Sequence, residues 1–320
     1  MNDLFILGAG ASVPYGFPCG ESLFKEIREK NYREEYFKDE SCKNDYFKYF
    51  GKTSRHYDIE TVMKSMYDFT VDIKKSSMVS IDDFLRNRKN LDPNQLDFGK
   101  RIIAYKILEA EYKYRNGKYE KGKEYKNKID WINYLLSFID RSKNLEKAFF
   151  NSKFIIFNYD RLFEQKIFEY LNHDKNLSND EEYVWGKLEK MEIFHIHGYI
   201  GKLKDIKLGD IENKNYTSIA NNMKTVWEKD NKNRTKIQHY FSECNRIFFL
   251  GFGWLEDNMN ELGLNESKEK ILRGKEIHGT AYKMSDYNIK NIENRLKLCG
   301  ALQPNIKNCE AVDLIKDFFQ

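Results

Sequence analysis

The sequence predicts an α/β protein: a doubly wound parallel sheet with a large helical insertion. Three observations carry this. Four short apolar runs each end abruptly in Gly, Asn, Asp or His. From Lys153 onward, strand-like and helix-like segments alternate, the pattern of a parallel sheet with crossover helices. Between the first and second runs, apolar and aromatic residues recur at helical spacing instead.

The first run, Leu4-Phe5-Ile6-Leu7, opens a strand from about Asp3 to Gly8. It enters Gly8-Ala9-Gly10-Ala11-Ser12 and then a helix near Gly20 to Lys30. The insertion follows, over about residues 31–150, with helical spacing in Ile59, Val62, Met63, Met66 and Ile73. It continues in Phe98, Ile102, Tyr105, Leu108 and Tyr112, and in Trp131, Ile132, Leu135, Leu136 and Ile139. Ser80-Ile81-Asp82-Asp83 has the form of a capped start to a short helix. Arg115 to Lys128 is very polar, a solvated helix end or loop.

The second run, Phe154 to Phe157, leads to Asn158-Tyr159-Asp160 and a helix to Leu171. Further strands are expected at Glu192–Ile196, Arg246–Leu250 and Glu276–Lys283, and helices at about Ser285–Leu298 and Asp313–Phe319. The result is a Rossmann-like sheet. With no repeat and no low-complexity linker, residues 1–320 are read as one composite domain.

Composition bounds the function. The 320 residues carry 54 Lys and Arg against 50 Asp and Glu, a net charge of +4. The two signs are interleaved, so no basic tract points to direct nucleic-acid binding. Mean hydropathy is −0.75, and no apolar run approaches the ~20 residues that span a bilayer. Five scattered cysteines without a C-x-x-C pair argue against a disulfide framework and a zinc ribbon. A reduced, cytoplasmic setting without a membrane is expected.

In an open parallel sheet, ligands sit outside the carboxyl ends of the strands. The tails of the four runs would therefore meet around one ligand. Gly8, Ala9, Gly10 and Ser12 suit a turn whose N–H groups approach a pyrophosphate, or a tight strand-to-helix turn without a ligand. The third position of the dinucleotide fingerprint falls on Val13, and no acidic residue ends a second strand ~20 residues on. An ordinary hydride-transferring enzyme is disfavoured. Asn158 can bond a ribose hydroxyl or hold a water, and Asp160 can accept from an amide or stabilise positive charge. Equally, Asn158 closes a turn and Asp160 caps a helix.

His197 is the candidate general base. His195 packs against the insertion or supports the site from behind. Their H-x-H spacing lacks a third ligand at motif spacing, so no metal site is expected. Gly251, Phe252 and Gly253 let a nucleotide lie against backbone. Asp257 binds a ribose or begins a helix, and Trp254 stacks on a base or is buried. No carboxylate cluster of the two-metal type supports a nuclease.

Together these residues resemble the sirtuin-like NAD-binding family, in its bacterial branch that hydrolyses NAD in antiphage defence. Gly8-Ala9-Gly10-Ala11-Ser12 matches the family's opening turn, and Gly16-Phe17-Pro18 the start of its loop over the cofactor. Asn158-Tyr159-Asp160 matches the Asn-x-Asp element, His197-Gly198 the His-Gly, and Gly251-Phe252-Gly253 the later element near the adenosine. Ser80-Ile81-Asp82-Asp83-Phe84-Leu85 completes the ordered set. Deacylating sirtuins carry a four-cysteine zinc module between the last two elements; here only Cys244 lies there. An acyl-lysine groove is therefore doubtful and no zinc is expected.

The resemblance implies an NAD+ glycohydrolase that cleaves the nicotinamide–ribose bond, with no cofactor beyond the substrate NAD. Asn158, Asp160 and His197 would be catalytic; the Gly8–Ser12 and Gly251–Gly253 turns and Asp257 would bind the dinucleotide. Such an enzyme must be silent in healthy cells. A regulator is implied: a homo-oligomer and a HerA-type ATPase or Argonaute-type partner. The alternative is a non-catalytic NAD- or ADP-ribose-binding subunit of a defence complex.

Overall fold

A computed structural model describes residues 2–29, 59–78, 80–86, 93–118, 130–141, 152–173, 181–211, 216–224, 231–264 and 270–319. Six parallel strands form one sheet: β1 (Asp3–Leu7), β2 (Lys153–Ile156), β3 (Glu192–His195), β4 (Arg246–Leu250), β5 (Glu276–Thr280) and β6 (Asn305–Lys307). Their order, β3-β2-β1-β4-β5-β6, makes the fold Rossmann-like. The chain winds outward to both sides of β1, so the carboxyl ends of β1 and β4 flank the point where strand order reverses.

Strand alternation divides the apolar residues between two faces. Phe5, Leu7, Phe154, Ile156, Phe248 and Leu250 bury one face. The rings of Phe154, Phe5 and Phe248 stack across three strands, at 5.3 and 5.2 Å between centroids. Over them pack α5 (Trp131–Arg141), α6 (Leu162–His173) and α12 (Ala311–Phe318). Leu4, Ile6, Ile155, Ile247 and Phe249 bury the other face, under α9 (Asn231–Glu243), α10 (Glu256–Glu261) and α11 (Asp286–Leu298).

Between β1 and β2 lie α1 (Gly20–Glu29), α2 (Ile59–Lys75), α3 (Ile81–Arg86), α4 (Pro93–Arg115) and α5. The first four share a separate apolar cluster, which Ile200, Ile219 and Met223 also join, with Phe69 packed edge to face on Phe84 and Phe98. α3 starts as its sequence indicates: the Asp83 N–H donates to Ser80 Oγ at 3.1 Å, and the Ser80 hydroxyl donates back to Asp83 at 2.9 Å. Within the polar stretch Arg115 to Lys128, residues 119–128 lie outside the described ones.

A buried ion pair joins this helical block to the sheet. Glu111 of α4 and Arg161, just before α6, are both fully buried and meet at 2.6 Å. Arg161 also donates to the carbonyls of Gly201, Ile206 and Lys207, and Glu111 accepts the Gly209 N–H. Removing one partner from such a pair costs roughly 3–5 kcal/mol, because the other charge stays buried alone.

Three expectations shift. The fifth strand ends at Thr280 rather than Lys283, which has φ +60 and turns the chain away. β6 is an additional strand. α7 (Glu181–Glu189), α8 (Tyr216–Asn222) and α9 are additional helices. No helix among the described residues is long and apolar enough to cross a membrane.

Candidate active site

The β1 exit is built by close backbone approach to the β4 exit. The Gly8 N–H donates to the Leu250 carbonyl at 2.9 Å and the Gly10 N–H to the Gly251 carbonyl at 3.0 Å. A Cβ on Gly8 would lie 2.4 Å from the Gly251 oxygen, and one on Gly251 would lie 2.0 Å from the Ala11 nitrogen. Gly251 also has φ +58, a region side chains avoid. The glycines therefore let two strand exits interlock. The Gly8 and Gly10 N–H groups of this turn thus already have acceptors within the protein.

Beyond these exits opens a cavity of about 1120 Å³, large enough for a dinucleotide by comparison with typical ligand sites of ~300–1,000 Å³. Gly8, Ala9, Gly10, Asn158, Asp160, His197, Gly251, Phe252, Gly253 and Asp257 all line it. Residues of the insertion, among them Ile81, Asp82 and Arg86 of α3, form a further wall.

Ser12 does not line the cavity. It is buried, and its hydroxyl donates to Asp160 Oδ1 at 3.2 Å while accepting from Asn158 Nδ2 at 3.0 Å. This chain fixes the Asn158 amide: the NH₂ points to Ser12, and Oδ1 is left buried without a hydrogen-bond partner. The turn residue read as a phosphate ligand thus serves as an orienting link.

Asp160 is buried and receives a second hydrogen bond, from the Leu162 N–H at 3.2 Å. It therefore caps α6 and faces the cavity at once. Burial, reinforced by the Glu111 and Glu164 carboxylates, pushes its carboxyl up to about 7 against the pull of these two hydrogen bonds.

His197 follows β3, in a turn secured by the Lys224 N–H, which donates to the His197 carbonyl at 2.7 Å. The Tyr159 hydroxyl donates to the Lys224 carbonyl at 2.8 Å and so ties the same segment to the Asn158 turn. The ring lies edge-on to Phe157, 5.4 Å between centroids. Its Nε2 is buried without a partner, and burial pushes the imidazole down to about 4. His197 is therefore neutral at physiological pH, the state in which a ring nitrogen can accept a proton.

His195 stands behind the site and supports it. Its Nδ1–H donates to the Asn158 carbonyl at 3.1 Å and its Nε2–H to Glu164 at 2.5 Å. Burial disfavours its charge, but Glu164 outweighs burial and holds it above the ordinary imidazole value. Glu164 carries no local motif in the sequence; it reaches the site only because α6 lies against β3. Trp254 is buried, with its indole N–H on the Thr280 carbonyl at 2.8 Å. Asp257 lies in the first turn of α10 and forms an ion pair with Arg86 of α3. Cys244 is buried just before β4.

No protein-family model matches the chain, and a search of curated proteins returns no match.

Proposed function

We propose that the chain is an NAD+ glycohydrolase acting at this cavity. One observation carries the reading: Asn158 Oδ1 and His197 Nε2, both buried and both without a hydrogen-bond partner, belong to side chains of the same cavity at the sheet's switch point. Buried polar atoms are normally satisfied, so two orphaned polar atoms in one cavity support a ligand that supplies hydroxyls to both.

With the nicotinamide ribose there, Asn158 Oδ1 accepts from a ribose hydroxyl or from the attacking water. The nicotinamide–ribose bond breaks and both electrons leave with nicotinamide, which departs neutral. The sugar carbon, now an oxocarbenium ion, takes water, and the proton released goes to His197 Nε2. Asp160, with its carboxyl at about 7, accepts from the carboxamide or stabilises the sugar's positive charge. The products are nicotinamide, ADP-ribose and a proton.

The biological reading follows the family resemblance: an antiphage effector that depletes NAD, as an oligomer under a HerA-type ATPase or Argonaute-type partner. The test is nicotinamide release by the full chain, alone and with such a partner. Release from wild type, falling about 10²–10³-fold in Asn158→Ala and His197→Ala, is expected. Saturable NAD binding without product would make the cavity a regulatory binding site instead.

A further inference from the structure

We infer that Arg86 is the anion-binding residue of the cavity, receiving the pyrophosphate of a dinucleotide, and that Asp257 holds its guanidinium until that anion arrives. The inference rests on the reading that the cavity takes a dinucleotide, but it does not depend on turnover. The starting point is a deficit of positive charge. The two phosphates bring two negative charges, yet the Gly8 and Gly10 N–H groups already bond the β4 exit. The cavity wall is otherwise acidic, with Glu21, Asp82, Asp83, Asp130, Glu256 and Glu310 among its carboxylates. Among its described lining residues, the cationic side chains are Arg86 and Lys283.

Arg86 has the geometry to answer the deficit. Its Nη2 pairs with Asp257 and lies 3.4 Å from Asp83, whereas its Nε is buried without a hydrogen-bond partner. One donor of a planar fork is thus unpaired in the cavity wall, and such forks suit phosphate oxygens. The Arg86 and Asp257 side chains are 39% and 43% exposed, and ion pairs that exposed are weak enough to exchange. Lys283 instead lies 4.9 Å over the Tyr282 ring at the β5 exit. Because Arg86 comes from the insertion and Asp257 from beyond β4, a ligand taken by Arg86 would tie the insertion to the sheet in place of Asp257.

Calorimetric titration of the full chain with ADP-ribose tests this. Arg86→Gln should weaken ADP-ribose binding about 10- to 100-fold, while Asp257→Asn should bind as tightly as wild type or tighter. If Arg86→Gln does not fold, Arg86→Lys, which keeps the charge and loses the fork, should still show a loss of at least about 5-fold. Affinity within about 3-fold of wild type in a folded Arg86 variant overturns the assignment. So does a loss in Asp257→Asn equal to that of the Arg86 variant, because Asp257 would then be the ligand's own contact. Nicotinamide release by wild type separates the two ideas. Arg86-dependent binding without release leaves this assignment standing and removes the glycohydrolase. Release with Arg86-independent binding removes only this assignment; no ADP-ribose binding by wild type also removes this assignment, and only the absence of release as well removes both.

Discussion

Replacing Asp160 by Asn should make the protein more stable and less active, and the gain should appear only as pH rises. The amide keeps an oxygen for the Ser12 hydroxyl and the Leu162 N–H, so the local hydrogen bonds survive. What disappears is a buried carboxyl raised from the ordinary 3.8 to about 7. Between these values the unfolded chain has released its proton and the folded one has not, so stability falls as pH rises. A difference of ~3 units is worth about 4 kcal/mol once both states are ionised, near pH 8, and about 1 kcal/mol or less near pH 4. Unfolding entropy of ~2.1 cal/mol/K per residue gives ~0.7 kcal/mol/K for this chain. The melting temperature of Asp160→Asn should therefore exceed that of wild type by about 6 °C at pH 8 and by about 1 °C at pH 4. Thermal unfolding followed by circular dichroism reads this directly, and other titrating groups cancel in the comparison. An advantage equal at both pH values, or a variant that melts lower at pH 8, would show that folding does not raise the Asp160 carboxyl. Keeping such a destabilising carboxylate makes physical sense where its charge has a use.

His197 gives the opposite pH dependence. With its imidazole pushed down to about 4, the unfolded chain takes up a proton below pH 6.5 that the folded chain refuses, so stability falls between pH 6.5 and 4. His197→Gln should flatten that acid limb by about 2.5 kcal/mol, as read by urea unfolding at pH 7 and pH 4.5. Gly251→Ala should cost at least about 3 kcal/mol, since its Cβ would sit 2.0 Å from the Ala11 nitrogen. Gly253→Ala, whose Cβ meets nothing closer than 3.7 Å, should stay within about 1 kcal/mol in the same denaturant titration.

The fully buried strands were legible in the sequence because burial on both faces leaves an uninterrupted apolar run; β4, Arg246–Leu250, has the bounds its residues indicate. β6 was not, because Ile306 is its one buried residue between two half-buried ones. α9 was hidden by its polarity: Ile237, Tyr240 and Phe241 anchor it within a run of Asn, Lys and Arg.

At the site, Asn158, Asp160 and His197 could be chosen because each closely follows an apolar strand. Their supports could not be. Glu164 meets His195 only through packing of α6 on β3, and Arg86 meets Asp257 across 171 positions of sequence. The glycine turn was legible as a close approach, but not what it approaches. A pyrophosphate and a neighbouring strand exit ask for the same missing side chains.

The most direct measurement is a crystal structure of the full chain with ADP-ribose. The dinucleotide remnant should lie across the β1 and β4 exits, its terminal ribose bonded to Asn158 Oδ1 and His197 Nε2. Ligand density elsewhere on the molecule, or in the cavity with both of those atoms still without a partner, would contradict this placement.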